Sequence, residues 1–199
     1  MLIYFVRHGQ TDWNKTFRWQ GAVADNELNE TGRSQALAVR DWFVNNDKPP
    51  VGIVSSPLKR AVATAEILAA SYGLPVLREP AFKEVGLGEF EGKTSQQLKD
   101  TYGERFDQWL ESFHLLAPPG GENIEQAIAR MQEVLLGHIH AYGDGLVIVA
   151  HQAILMAMKA ALSGDLGPAT LASYKQGNNE IALWDYERAC IRDRIYIGG

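Results

Sequence analysis

The stretch from residue 2 to residue 14, LIYFVRHGQTDWN, decides the fold. Residues 2–6 form a short apolar run of aliphatic and aromatic residues, which is typical of a strand buried in a sheet. The run ends abruptly in Arg7 and His8, and Gly9 then lets the backbone turn tightly. A buried strand that ends in charged side chains predicts a functional site at its carboxyl end.

The composition is that of a soluble globular protein with one domain. At 199 residues the chain has the size of one domain and can bury a sizeable core, so we predict a single domain over residues 1–199. A net charge of -5 argues against a general nucleic-acid binder, which usually presents a basic face. Any site for an anion must therefore gather its cations locally.

The sequence indicates a cytoplasmic protein without a membrane partner. Cys190 is the single cysteine, which excludes an intrachain disulfide and fits a reducing compartment. The apolar start is too short for a signal peptide. The apolar region 145–162 is interrupted by His151, Gln152 and Lys159, so it is a poor membrane span.

Strand and helix patterns alternate along most of the chain, which predicts an α/β fold: a three-layer α/β/α sandwich with a mostly parallel central sheet. The segment 82–121 is less regular, and we predict a helical, lid-like insertion there. The predicted strands are 2–6, 52–55, 75–77 and 146–150, with a late hairpin of 181–185 and 191–197. The predicted helices are 31–45, 124–142 and 153–162. A further helix follows the second strand; it is capped by Ser56, has Pro57 in its first turn and is ended by Gly73.

Three of the predicted strands end in side chains that suit a phosphate group. The first strand ends in Arg7 and His8, the second leads to Arg60 in the first turn of a helix, and the strand 146–150 ends in His151. In open α/β sheets, ligands bind beyond the carboxyl ends of the strands. Arginine offers a fork of donors that matches phosphate oxygens. The pattern predicts an oxyanion site where these ends meet.

Six blocks of the chain resemble, in order, the successive blocks of the histidine phosphatase superfamily, the phosphoglycerate-mutase-like proteins. The resemblance covers nearly the whole chain. The blocks are VRHGQTDWN, the pair Gln20 and Gly21, SSPLKRAVATAE, EVGLGEFEG, PGGEN and VIVAHQ.

The resemblance implies a role for each matching residue. His8 matches the nucleophile, which accepts the phosphoryl group on a ring nitrogen and must be a neutral imidazole fixed by a hydrogen bond. Arg7, Arg60 and His151 match the groups that grip the transferred phosphoryl group, and Asn14 matches a further phosphate contact. Such groups position the phosphoryl group and stabilise its charge without a metal.

The resemblance also implies a proton donor and further substrate contacts. Glu84 matches the acid that protonates the leaving group, and a carboxyl group beside a phosphate should have a raised pKa. The residues alone do not distinguish Glu84 from three other carboxylates nearby, Glu79, Glu89 and Glu91. Gln20 and Gly21 match phosphate-binding positions.

The family usually has glycine after the second histidine, but this chain has Gln152, which we expect either to narrow the pocket or to add a donor to the substrate.

Three functions are compatible with these residues. The first is a metal-independent phosphomonoesterase acting on a small phosphorylated metabolite. The second is a phosphoglycerate mutase, and the third is an inactive phosphate-binding module. A mutase needs a lid with basic residues for the substrate carboxylate, but Lys99 and Arg105 are the only basic residues in segment 94–119. The phosphatase is therefore the favoured function.

No cofactor or metal is expected. His138 and His140 resemble a metal pair, but two residues apart on a helix they face different directions. Phosphoserine, ribazole phosphate, sugar phosphates and 3-phosphoglycerate all remain candidate substrates. Trp13, Phe17 and Trp19 flank the loop after the predicted nucleophile, with Lys15 and Arg18 among them, and they either contact an apolar or carboxylate-bearing part of the substrate or pack their loop onto the domain. Family members often dimerise, so a homodimer is one expectation.

Overall fold

A six-stranded sheet lies at the centre of the computed structural model, which describes residues 1–178 and 180–197. Its strands, in chain order, are β1 (Leu2–Arg7), β2 (Gly52–Ser55), β3 (Val76–Arg78), β4 (Leu146–Ala150), β5 (Glu180–Asp185) and β6 (Cys190–Tyr196). The spatial order is β3-β2-β4-β1-β5-β6. The first four strands pair in parallel, and β5 and β6 form the predicted antiparallel hairpin beside β1.

Eight α-helices connect the strands within the described residues. They are α1 (Asp12–Lys15), α2 (Glu30–Asn45), α3 (Lys59–Ala70), α4 (Ser95–Tyr102), α5 (Glu104–Ser112), α6 (Ile124–Tyr142), α7 (Gln152–Ser163) and α8 (Pro168–Ser173). Short 3-10 turns lie at Pro80–Phe82 and Gly88–Phe90. None of these helices combines the length and the apolar run that crossing a bilayer requires.

The sheet is covered on both faces, and this confirms the predicted α/β sandwich. Along β1, Ile3 and Phe5 point into one apolar cluster, whereas Tyr4 and Val6 point into a second. The first cluster contains the apolar faces of α6 and α7, and the second contains those of α2 and α3. The alternation follows from the pleat of the strand, which sends successive side chains to opposite faces.

Residues 82–121 have a small apolar cluster of their own. It is formed by Leu87, Phe90, Leu98, Phe106 and Trp109. Leu87 precedes the Gly88–Phe90 turn, Phe90 ends it, and the other three side chains come from α4 and α5; Trp19 packs against the cluster from the loop after β1. The cluster places α5 beside the carboxyl end of β1.

One sequence prediction about local structure is wrong. Helix α3 begins at Lys59, with Leu58 at its cap, rather than after Ser56. Ser56 instead pairs with β4 through its backbone N–H, and its hydroxyl oxygen accepts from the N–H of Leu58, so Pro57 lies before the helix. Gly9 has no left-handed φ; glycine is required there because a Cβ would overlap the carbonyl of Gly32.

Helix α8 was not predicted. Its Pro168 occupies the first turn, where proline is favoured, but the helix has only six residues and a single buried side chain, Leu171. The helix matters because it leads into the segment 174–178, which runs past the end of β1 before β5 begins.

Candidate active site

The carboxyl ends of β1, β4 and β2 are neighbours in the sheet and bring three distant parts of the chain together. Arg7 and His8 come from the end of β1, His151 follows β4, and Arg60 lies in the first turn of α3 after β2. A cavity of about 540 Å³ opens at this edge and is lined by Arg7, His8 and Arg60. The predicted meeting of the strand ends is therefore present.

His8 is buried and is held in one tautomer. Its Nδ1–H donates to the carbonyl of Gly9 at 2.7 Å, so in the neutral ring Nε2 carries the free lone pair. Burial, together with the positive charges of Arg60 and Arg7, lowers the pKa of His8 well below the usual histidine value. The ring is therefore neutral at pH 7 and has one nitrogen available as a nucleophile.

Arg60 and His151 form a hydrogen-bonded unit behind His8. The Nε–H of Arg60 donates to Nδ1 of His151 at 3.1 Å, and Nε2–H of His151 donates to the hydroxyl of Ser56 at 2.7 Å. The centroids of the His8 and His151 rings are 5.0 Å apart. Burial and the charge of Arg60 lower the pKa of His151 well below its usual value. Its neutral ring accepts from Arg60 and positions the guanidinium.

Arg7 has a buried donor with no protein partner. Its Nη1 donates to the backbone carbonyl of Gln176 at 2.9 Å, whereas Nε meets no acceptor among the residues described. A buried N–H without a partner is costly, which makes Nε a donor for a bound oxyanion. Burial lowers the pKa of Arg7 to about 10, so the guanidinium stays charged at neutral pH.

Glu84 caps helix α7 from inside the cavity. Its carboxylate accepts from the backbone N–H groups of Val85 and Ile154 at 2.9 Å and of Ala153 at 3.2 Å. Burial raises the pKa of Glu84 above the usual value, although these three hydrogen bonds and the charge of Arg60 act in the opposite direction. The group is a buried carboxyl that lines the same cavity as His8.

Three of the other predicted residues line the cavity as well, namely Asn14, Gln20 and Gln152. The Asn14 amide oxygen accepts from the backbone N–H of Thr11 at 3.1 Å, and this leaves the amide N–H₂ group to donate to a ligand. Gln20 donates to the hydroxyl of Thr11 at 2.8 Å.

Two predicted residues lie behind the lining. Gly21 accepts from Nη2 of Arg60 through its carbonyl at 3.1 Å, and His151 stands behind Arg60. Both residues therefore hold the guanidinium of Arg60, which itself lines the cavity.

The sequence predictions missed Asn178. Its amide donates to the backbone carbonyl of His8 at 2.7 Å, and the residue lines the cavity. The strand pairing could have indicated this residue. Because β5 runs antiparallel to β1, the amino end of β5 lies beside the carboxyl end of β1. The rule that ligands bind at strand ends can be extended to the start of such an antiparallel neighbour.

The outer wall of the cavity is mainly apolar. It is built by Trp19 of the loop after β1 and by Trp109, Leu110 and Phe113 of α5 and its end. Phe17 joins this wall with 83% of its side chain exposed and a left-handed φ of 54°, which is uncommon for a bulky residue. Arg18 and Lys175 also line the cavity and add positive charge.

The cavity is suited to an oxyanion, because the guanidinium groups of Arg7 and Arg60 line it. In residues 1–178 and 180–197, no group of three or more His, Cys, Asp or Glu side chains is arranged to hold a metal ion. The two helix histidines have different neighbours: His138 bonds to Glu79 at 3.1 Å, whereas His140 lies against Tyr186.

Comparison with known proteins identifies similar chains. The sequence-family model of the histidine phosphatase superfamily (branch 1) matches residues 3–192 of this chain. A glucosyl-3-phosphoglycerate phosphatase of Mycobacterium tuberculosis is 36% identical over 170 residues, which are 80% of this chain and 74% of the relative. A probable 2-carboxy-D-arabinitol-1-phosphatase of Arabidopsis thaliana is 29% identical over 92% of this chain, which spans 38% of the relative's length.

A solved structure with a similar fold is that of a mycobacterial glucosyl-3-phosphoglycerate phosphatase in complex with VO3. Its TM-score against this chain is 0.81 at 32% sequence identity, and the match covers 92% of each chain.

Proposed function

The chain belongs to the histidine phosphatase superfamily, and from this membership and the geometry of the cavity we propose that it hydrolyses phosphomonoesters through a phosphohistidine on His8. The observation that carries the proposal is the buried, neutral His8. Its Nδ1–H is held by the Gly9 carbonyl, and its Nε2 shares a cavity with two charged arginines.

The first step is phosphoryl transfer to His8. The Nε2 lone pair attacks phosphorus, a P–N bond forms, and the bond between phosphorus and the ester oxygen breaks. Arg7 and Arg60 stabilise the charge on the equatorial oxygens, with the free Nε–H of Arg7 as one donor. The Asn14 amide N–H₂ is a further donor, and the Nε2–H of His151 reaches the oxyanion if it exchanges the Ser56 hydroxyl for a phosphate oxygen.

Glu84 is the proposed acid and base. Burial raises the pKa of Glu84, which favours a protonated carboxyl that can donate its proton to the departing alkoxide. In the second step the carboxylate takes a proton from water, the water oxygen attacks the phosphohistidine, and the P–N bond breaks to release inorganic phosphate. His8 then regains its lone pair.

Hydrolysis is favoured over mutase activity by the lining of the cavity. Within the described residues, segment 82–121 contributes one charged side chain to the lining, the acidic Glu84, and no lysine or arginine. Lys99 instead lies 3.3 Å from Asp107 on the outside of the segment. A mutase lid that recognises a substrate carboxylate would need cations there.

The proposed substrate is a small phosphorylated metabolite. The cavity has room for a leaving group larger than phosphate alone, and its outer wall is apolar with Arg18 and Lys175 among the lining residues. The lid-like role of residues 82–121, the cytoplasmic location and the homodimer stay predictions.

The function is tested with a panel of phosphomonoesters assayed with and without EDTA. The wild type should release phosphate equally in both conditions, and His8→Ala should lose the activity. His140→Ala, which changes an exposed histidine outside the cavity, is the matched control and should retain it. Interconversion of phosphoglycerates without phosphate release would favour the mutase, and phosphate binding without turnover of any ester would favour the inactive module.

A further inference from the structure

Lys159 is a fully buried lysine that the proposed chemistry does not use. It lies in α7 among Met158, Ala160 and other apolar residues, and its side chain is 0% exposed. Lysine is almost never fully buried unless it is paired, because an ammonium group loses its hydration there. An apolar residue would suit this position in the core, so the ammonium group requires an explanation.

The partners of Lys159 all belong to one short segment and to the first strand. Its Nζ donates to the backbone carbonyl of Tyr174 and to Oε1 of Gln176, both at 3.0 Å. It also lies 5.8 Å from the centre of the Phe5 ring, which is a cation–π contact. Lys159 therefore ties the segment 174–178 to the helix that underlies β1.

The same segment contacts the phosphate site at two points. The carbonyl of Gln176 accepts from Nη1 of Arg7 at 2.9 Å, and the amide of Asn178 donates to the carbonyl of His8 at 2.7 Å. The Gln176 side chain also donates to the carbonyl of Phe5 at 2.7 Å, so the segment is fastened to β1 two residues before Arg7.

We propose that Lys159 is a positioning residue of the phosphate site: its ammonium group fixes the segment 174–178, which in turn holds Arg7 and the backbone of His8 in place for the oxyanion. The inference rests on the proposed function, since it assumes that Arg7 and His8 bind the phosphoryl group. Misplacing such groups by about 1 Å can reduce a rate a hundredfold.

The charge of Lys159 also makes this positioning sensitive to pH. Burial and the nearby Arg194 of β6 lower the pKa of Lys159 to about 7, against the opposing effect of Glu180 of β5. Glu180 and Arg194 form an ion pair with each other. A neutral amine donates weaker hydrogen bonds than an ammonium group, so the segment is held less firmly as pH rises through 7.

The test measures sulfate binding in Lys159→Met, a variant of similar length with neither charge nor donor. Sulfate keeps a constant charge between about pH 6 and pH 9, so its affinity reports the site alone. All proteins carry Glu84→Gln, which removes the titration of that carboxyl group. We expect sulfate affinity to fall with rising pH when Lys159 is present. We expect Lys159→Met to bind roughly tenfold more weakly at pH 6 and to lose the pH dependence.

Met158→Ala is the matched control, because it changes a buried residue of the same helix that does not line the cavity. It should lower the melting temperature and leave sulfate binding unchanged. Equal sulfate affinity with and without Lys159 at every pH would overturn the proposal, as would an equal loss in the Met158→Ala control. If Lys159→Met does not fold, sulfate affinity is measured as a function of pH in the protein that keeps Lys159. An affinity that does not change with pH then overturns the proposal.

Hydrogen exchange separates this inference from the proposed function. Backbone amides of residues 174–178 should exchange faster in Lys159→Met than in Met158→Ala, whether or not the protein hydrolyses any ester. Absence of turnover in the wild type would contradict the phosphatase proposal alone, whereas unchanged exchange would contradict the role of Lys159.

Discussion

Arg60 donates its Nε–H to Nδ1 of His151 at 3.1 Å, and this bond sets the tautomer of the second histidine. Since Nδ1 accepts, the proton of the neutral ring lies on Nε2 and reaches the hydroxyl of Ser56. A helix residue and two strand ends are thereby joined in one network behind the nucleophile. The network fixes the guanidinium of Arg60 against the cavity.

Removing the Ser56 hydroxyl should loosen this network. We expect Ser56→Ala to lose about 1 kcal/mol of unfolding free energy, because a buried hydrogen bond is lost, and to lower kcat/KM about tenfold. Steady-state kinetics and urea denaturation measure the two effects. Ser163→Ala, which removes a hydroxyl bonded to the carbonyl of Ala160 far from the cavity, is the control. An unchanged kcat/KM in Ser56→Ala would contradict the role of the network.

Glu84→Gln should slow turnover according to the leaving group. For an alkyl phosphate the alkoxide needs a proton, so the rate should fall by about 10²–10⁴. For p-nitrophenyl phosphate the leaving group departs unprotonated, so the first burst of p-nitrophenol should remain. Rapid-mixing kinetics with both esters measures the difference. Glu89→Gln alters an exposed carboxylate and should behave as the wild type; equal losses of the first step for both esters would rule out an acid role.

Phe17 should select substrates with an apolar or aromatic alcohol. Phe17→Gly removes the ring and places glycine at a φ of 54°, which glycine adopts without strain. We expect the KM for phenyl phosphate to rise roughly fivefold to tenfold and that for glycerol phosphate to stay constant. Val23→Ala changes a side chain that is equally exposed, at 83%, but lies outside the lining, and should change neither KM. An equal change for both esters would refute the selection.

The two buried histidines should make the fold sensitive to acid. The folded chain keeps His8 and His151 unprotonated, whereas the unfolded chain binds protons below about pH 6.5. Their contribution to stability is therefore present above pH 6.5 and is lost as pH falls below it. Between pH 7.5 and pH 5.5, the free energy of unfolding should fall by about 1 kcal/mol less in His8→Gln than in the wild type, as measured by urea denaturation. An identical loss would show that His8 is already protonated in the folded protein.

The elements with unambiguous patterns were predictable from the sequence. β4 and α6 have the predicted bounds, because the first is a continuous apolar run and the second keeps helical spacing over 19 residues. The start of α3 was mispredicted because Ser56, which resembles a helix cap, is bonded to β4 and His151 instead. Such tertiary partners are not visible in a local pattern.

The site was predictable in part for the same reason. The strand ends located Arg7, His8 and His151. Glu84 was chosen by resemblance, because the residues next to it in the sequence do not indicate that its side chain is buried. The structure separates the four carboxylates: Glu84 is buried at α7, Glu79 bonds to His138, Glu89 accepts from Tyr102, and Glu91 accepts from backbone groups near Gly21. Asn178 depends on the pairing of β5 with β1, which no single segment reveals.

The most direct test of the account is to trap the phosphoenzyme. Glu84→Gln is mixed with p-nitrophenyl phosphate, quenched in alkali and digested, and the peptides are mapped by mass spectrometry. We expect one phosphoryl group per chain on His8, stable to alkali and labile to acid, and none when His8→Ala is added to the same background. A phosphoryl group on another residue, or phosphate release by a chain that lacks His8, would contradict the account.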